Sequence, residues 1–197
     1  MSRGQLTKQA ILEHAASLAS RVGLQGVTIG GLADDMKLSK SGLFAHFRSK
    51  EALEVSLLEH AAARFVEHVI KPALAAPRGE PRVREVFRRW MEWPEASRMA
   101  GGCFFVAAAT ELDDRPGPAR DVLVRQQKDW LELIANVART AIAEKHFQKR
   151  VDPEQFAFEL YGIALSYHYS KRLLSDPRAP ERARVAFEAL IDRAKTP

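Results

Sequence analysis

The stretch TIGGLADDMKLSKSGLFAHFRSK, residues 28–50, holds two short helical patterns end to end. Thr28 stands where an N-cap belongs, and Ile29, Leu32, Ala33 and Met36 then fall on one helical face. Gly30 and Gly31 weaken that helix by about 1 kcal/mol each against alanine. Ser39 is a second good N-cap, and the spacing predicts a helix from there to about Phe47, with Leu43 and Phe47 on one side. Neither helix is long enough to hold itself together in water, so each must lay its apolar face on a neighbour.

The neighbour comes just before them. From about 7 to 22, Ile11, Ala15, Leu18 and Val22 recur at helical spacing, Lys8, Glu13 and Arg21 lie off that stripe, and Gly23 supplies a stop. On the other side, Ser49 caps a longer pattern with Leu53, Leu57, Ala61 and Phe65 on its stripe, and this helix is expected to end before Pro72. The run AAPRGEP at 75–81 reads as a linker or turn. Helical runs follow near 82–93, 103–112 and 119–146. Another starts after Asp152 and Pro153, an N-cap followed by proline at the first helical position, and continues to about 174. The last follows Pro180, with Ala183, Ala186, Phe187, Leu190 and Ala194 as its stripe. No strand-like alternation and no internal repeat breaks the pattern, so the chain reads as all-α with about nine helices.

Composition agrees with a folded chain. Of 197 residues, 46% are hydrophobic, enough to fill a core and to exclude intrinsic disorder. No apolar run nears the roughly 20 residues of a membrane span. The single cysteine, Cys103, excludes an intramolecular disulfide, and MSRGQLTKQA lacks the apolar stretch of a signal peptide. A cytoplasmic protein without a membrane partner is expected. Charge is unevenly divided: residues 1–50 hold seven basic and three acidic side chains, whereas the remaining 23 basic and 22 acidic residues nearly cancel. A cationic head on a neutral body suits a polyanionic partner.

The usual constellations of catalysis are missing. The chain has no GxSxG elbow, no GxxxxGK[ST] phosphate loop, no GxGxxG after a strand and no HExxH. His60 and His68 lie eight residues apart, too far to share one ion, and His14 and His146 read as structural or surface residues. Cys103 fits a small core residue near a helix end better than a redox thiol. No catalytic residue, metal site or cofactor is therefore expected. Residues 28–50 carry chemistry of another kind. Two short helices joined by a three-residue turn, the second basic and polar at its start, suit a helix-turn-helix entering the major groove. Phosphates demand cations and helix N-termini, and base edges need short polar side chains. On spacing alone, an ordinary αα corner with solvated lysines is the favoured reading.

The succession Ala15-Ala16, Gly23, Thr28 and Leu32-Ala33, followed by residues 38–53, LSKSGLFAHFRSKEAL, resembles the amino-terminal domain of TetR-family transcriptional regulators. The resemblance covers about residues 7–55. It implies a three-helix DNA-binding head, residues 1–49, and an all-helical effector-binding and dimerisation body, residues 50–197. Carried over by motif, it assigns recognition to about 39–47, with Ser39, Lys40, Ser41, Gly42, Phe44 and His46 at the groove and Thr28 and Lys50 on phosphates. Three positions depart from the family pattern. Phe44 replaces a tyrosine, Gly42 offers no side chain to a base, and Lys37 stands where glycine is usual.

In the body, the helix at 152–174 is apolar around almost its whole circumference, which requires burial on more than one side. That helix and the last one are candidates for a homodimer interface, and the helix starting near Ser49 is the natural lever between head and body. Phe87, Trp90, Phe104, Phe105, Trp130, Tyr161, Tyr167 and His168 are candidates to line a cavity for a small, mostly apolar or aromatic effector. Each also fits plain core packing. The expected function is a repressor that leaves a palindromic double-stranded DNA operator when the effector binds. The alternatives are an all-α enzyme of unrecognised type, or a DNA-binding regulator controlled by protein partners without a ligand.

Overall fold

The computed structural model describes residues 3–97, 99 and 101–196, the side chains from Lys8 onward. Nine helices span the described residues, and the one extended pairing is an isolated bridge between Phe147 and Lys195. They are α1 (Arg3–Gly26), α2 (Ile29–Asp35), α3 (Lys40–Phe47), α4 (Lys50–Phe65, prolonged through Val66–Ile70 and Lys71–Ala75), α5 (Glu80–Ala96), α6 (Phe104–Leu112), α7 (Pro118–Ala143), α8 (Pro153–Arg172) and α9 (Ala179–Ala194). None of the described helices is long and apolar enough to cross a membrane.

The chain forms two compact units. The first comprises Met1–Phe65 and Pro94–Gln126, the second Val66–Trp93 and Gln127–Pro197. In the first unit, α1 packs on α4 and α6, and α3 packs on α2 and α4. Ile11, Leu12, Ala15, Ala16 and Ala19 of α1 meet a core shared with Leu32, Leu43, Phe47, Leu53, Leu57 and Phe104. The α1 stripe differs from expectation at its end. Val22 is 50% exposed and Leu24 is buried in its place, because Gly23 at φ +76° turns the chain before the next helical residue.

In the second unit, α8 and α9 form the main pair. Phe156, Ala157, Leu160 and Ala164 of α8 and Ala183, Phe187, Leu190 and Ile191 of α9 are buried within it. Phe87 of α5 stacks on Phe187 at 4.0 Å, and Arg84 reaches Glu188 through two hydrogen bonds of 2.7 and 2.9 Å. Asp152 caps α8 by accepting from the amides of Glu154 and Gln155.

The expected stop of α4 before Pro72 is not observed. A π turn over Val66–Ile70 precedes Pro72, which then occupies the first turn of the closing segment. Widening the helix resets its hydrogen-bond register at the point where proline has no amide to give.

Candidate nucleic-acid interface

Each short helix of residues 28–50 is held by a cap and by apolar anchors. Thr28 Oγ1 accepts the Gly31 amide at 3.0 Å, and Ser39 Oγ accepts the Gly42 amide at 3.1 Å. Ser41 donates its hydroxyl to Ser39 Oγ at 3.3 Å. Leu43 and Phe47 of α3 are sealed inside the unit, with the Lys8 ammonium 5.6 Å from the centre of the Phe47 ring. Four residues that do not fit this inner face therefore turn outward. Lys40, Ser41, Gly42 and Phe44 are exposed, Phe44 by 53%, and His46 is half-buried beside Phe47. Thr28, Ser39 and Lys50 are exposed as well.

Both ends of α3 are set by residues in the left-handed region. Lys37 at φ +54° makes the turn from α2, and Arg48 at φ +55° ends the helix. The conformation that the family pattern gives to glycine is thus adopted by Lys37 with a side chain attached, at a cost of about 1–2 kcal/mol. Lys50 does more than face solvent. Its ammonium donates to the Gln25 carbonyl at 2.6 Å and stands 4.0 Å from Glu54. An ammonium has three donors, so this bond leaves capacity for a phosphate.

Sequence reasoning missed the acidic partners of this corner. Glu54, 3% exposed, pairs with Arg115. The Glu111 carboxylate accepts the Leu24 and Gln25 amides, each at 2.8 Å. Lys50 and Glu54 are four residues apart, a spacing that was readable; Glu111 and Gln25 are 86 apart, and no local pattern reports such a pair.

Residues 11–56 match the model of the bacterial regulatory proteins of the tetR family, and residues 79–187 match the tetracyclin repressor-like C-terminal domain. The chain belongs to the TetR family. No curated protein sequence matches it. Among solved structures, a TetR-family transcriptional regulator from Cytophaga hutchinsonii superposes with a TM-score of 0.86 at 18% identity, over 100% of this chain and 98% of that one. A transcriptional regulator from Saccharomonospora viridis, solved in complex with choline, gives 0.83 at 18% identity, over 98% and 100%. AibR, solved with isovaleryl coenzyme A and operator DNA, gives 0.74 at 20% identity, over 96% and 98%. Likeness at these identities is one of fold.

The effector-lining candidates of this TetR-family chain fall into separate groups. In the first unit, Phe104 and Phe105 of α6 pack on each other, and Phe105 meets Phe65 edge-on at 5.7 Å. In the second, Trp90 sits 5.2 Å from Trp130 and 5.5 Å from Tyr161, whose hydroxyl donates to Gln127 Oε1 at 2.7 Å. Phe87 and Tyr167 line a groove of about 360 Å³ with Met91, Pro180 and Phe187. Lys171 donates to the Tyr167 hydroxyl at 2.8 Å, and His168 is half-buried, its pKa lowered by burial and by Arg172. Cys103 caps α6 and is buried. Burial raises its thiol pKa against the pull of two backbone amides, which keeps it away from the thiolate. Among the described residues, no three His, Cys, Asp or Glu side chains gather as a metal site.

Proposed function

We propose that this TetR-family protein is a cytoplasmic, homodimeric repressor, non-enzymatic, with a DNA-binding head at residues 1–49 and an effector-binding and dimerisation body at residues 50–197. The observation that carries the reading is the outward face of α3. Lys40, Ser41, Gly42 and Phe44 are uncovered while Leu43 and Phe47 lock the helix from behind. A helix held this way can enter a major groove with its N-terminal residues first. Lys40 and Ser41 are placed for base edges, Gly42 permits close approach, and Phe44 and His46 pack beside the backbone. Ser39 and Thr28 keep their hydroxyls in the caps and point helix N-termini at phosphates, where Lys50 adds its charge.

Two helical half-sites on DNA call for two heads, and a two-fold dimer supplies them. The face of α8 and α9 supports such pairing. Phe158, Leu165 and Tyr169 are exposed by 72%, 38% and 55%, beside a groove of about 510 Å³ floored by Gly162, Ala183 and Ala186. For the effector, the groove at Phe87 and Tyr167 offers an apolar floor with polar tips, and relatives of the same fold were solved with choline and with isovaleryl coenzyme A. A small molecule that favours a body shape unsuited to the operator lowers DNA affinity by the same coupling energy.

A salt-dependent gel shift of the full chain on DNA flanking its own gene tests the reading. Specific retention that weakens steeply with salt is expected; no retention at any salt favours a different class. A thermal-shift screen of small apolar molecules, followed by the gel shift with each hit, tests effector release. Hits that leave operator binding unchanged would favour control by a protein partner.

A further inference from the structure

The turn before α5 is closed by a side chain from just past the end of α7. Glu80 is the first residue of α5, where an amide has no partner within its own helix. That amide donates to His146 Nδ1 at 3.0 Å, so the imidazole caps α5 from another stretch of chain. The preceding residue is shaped to admit the ring. Gly79 has φ +91°, and a Cβ there would lie 2.1 Å from His146 Nδ1.

The backbone that carries the imidazole is held on both sides. Lys145 at φ +62° ends the α7 segment, and the His146 amide turns back to the Ala141 carbonyl at 2.9 Å. The His146 carbonyl accepts the Thr196 amide at 3.1 Å, and Thr196 Oγ1 donates to the Lys145 carbonyl at 3.0 Å. None of these bonds uses the ring, so a change in its protonation acts on the bond to Glu80 and leaves the His146 backbone anchored.

A neutral imidazole accepts at one nitrogen; an imidazolium donates at both and accepts at neither. Protonation therefore sets an N–H against the Glu80 amide and a positive charge at the N-terminus of a helix, where the macrodipole disfavours cations. The charged groups around the ring come from every segment that meets there. They are Arg78 of the turn, paired with Glu144 at 2.7 Å, then Lys145, Glu80 itself, and Lys195 of the C-terminal segment, 3.2 Å from the Glu80 carboxylate. Burial pulls the Glu80 carboxyl pKa up, but hydrogen bonds from Arg84 and Lys195 outweigh it and hold the group below its ordinary value, so Glu80 stays anionic while the imidazole titrates. Glu80 shares Arg84 with Glu188, and Arg84 and Glu188 edge the groove of about 360 Å³ at Phe87 and Phe187.

We infer that His146 is a proton-operated cap on α5: neutral, it closes the first turn of the helix; protonated, it releases that turn, and with it the hold of Glu80 on Arg84 at the edge of the groove. The cap stands apart from the proposed function, and only its bearing on an effector rests on that reading of the groove.

The experiment records amide and arginine side-chain NMR spectra and amide exchange of the full-length protein, without ligand, from about pH 8 to about pH 5. As the His146 ring signals move to their protonated positions, the Glu80 amide and the Arg84 Nε–H, which donates to Glu80 at 2.8 Å, move with the same midpoint. Protection of the Glu80 amide, corrected for the intrinsic pH dependence of exchange, falls about 5- to 10-fold over the range. His146→Asn keeps an acceptor that does not titrate and holds protection level at every pH. His146→Phe lacks the acceptor and shows the low protection throughout. Gly79→Ala expels the ring, gives the same loss, and carries the test if His146→Phe does not fold. Wild-type protection that is equal at both ends of the range, or equal to that of the folded His146→Phe or Gly79→Ala chain, overturns the cap. An Arg84 signal that stays still while the Glu80 amide moves overturns the link to the groove alone. A small-molecule screen without hits overturns the effector reading and touches neither.

Discussion

The outer face of α3 and the outer face of the α8–α9 pair are both left uncovered by the chain, yet they are built from opposite materials. On α3 the exposed side chains are Lys40, Ser41 and Phe44, beside further cations at Lys37, Arg48 and Lys50. On α8 and α9 they are Phe158, Leu165, Tyr169 and Val185. A cationic, hydrogen-bonding face gains by meeting a polyanion and gains little from a copy of itself, since like charges repel. An apolar face has the reverse preference. Exposure alone therefore says little about partners; the chemistry of what is exposed says which partner each face suits.

The sharpest way to break this comparison uses two residues in the α8–α9 pair. Phe187 lies inside one protomer against Phe87, so Phe187→Ala should lower folding stability by about 3–5 kcal/mol, read as a fall in thermal midpoint. Leu165 faces outward, and Leu165→Asp should leave the chain folded while weakening the proposed dimer by about 2 kcal/mol or more, read by sedimentation at micromolar concentration. A wild-type chain that sediments as a monomer would overturn the proposed pairing of the apolar face with a second copy. On the other face, Lys40→Ala should change operator preference by about 1–3 kcal/mol at one base pair with folding unaffected, measured by binding to a panel of point-substituted operators.

A smaller effect is expected at Lys37. Relieving its left-handed strain, Lys37→Gly should raise stability by about 0.5–1 kcal/mol, yet lower DNA affinity by removing a cation next to α3; thermal unfolding and a salt titration read the two separately. The smallest is a pH dependence at His60. Its pKa lies below the usual 6.5 because of burial and then Arg64, with Glu13 opposing, and its Nε2 is buried without a hydrogen-bond partner. The unfolded chain therefore binds the proton first, so this contribution is full above pH 6.5 and is lost as pH falls through the window between 6.5 and the lower folded value. His60→Phe should flatten that slope in urea titrations at successive pH values, leaving the remainder from His168.

Much of the fold was legible because its rules are local. Thr28, Ser39 and Asp152 cap helices as their residue types require, and the stripe Leu53, Leu57, Ala61 and Phe65 is buried as its spacing predicts. The continuation of α4 past Pro72 was not legible, since the π turn that admits proline follows from packing along the helix and leaves no mark on the spacing. In the site, the outward residues of α3 followed once Leu43 and Phe47 were recognised as its anchors. Of the contacts around Lys50, Glu54 was readable four residues on, but the Gln25 carbonyl was not, since it lies 25 residues back, nor was Arg115, which meets Glu54 from 61 residues away. The effector candidates show the same limit. Aromatic residues were easy to find, but sequence does not tell that Phe104 and Phe105 belong with Phe65 while Trp90 belongs with Trp130 and Tyr161.

The close approach of Gly101 to Ser20 has a consequence for variation. Position 101 lies in a loop, where a survey of substitutions ordinarily finds tolerance. Here even alanine would place a methyl group inside the radius of a backbone oxygen, and backbone, unlike a long side chain, has nowhere to fold away. In a library that samples every amino acid at every position, 101 should therefore survive selection as glycine alone, while the solvent-facing Phe44 accepts many replacements before folding suffers.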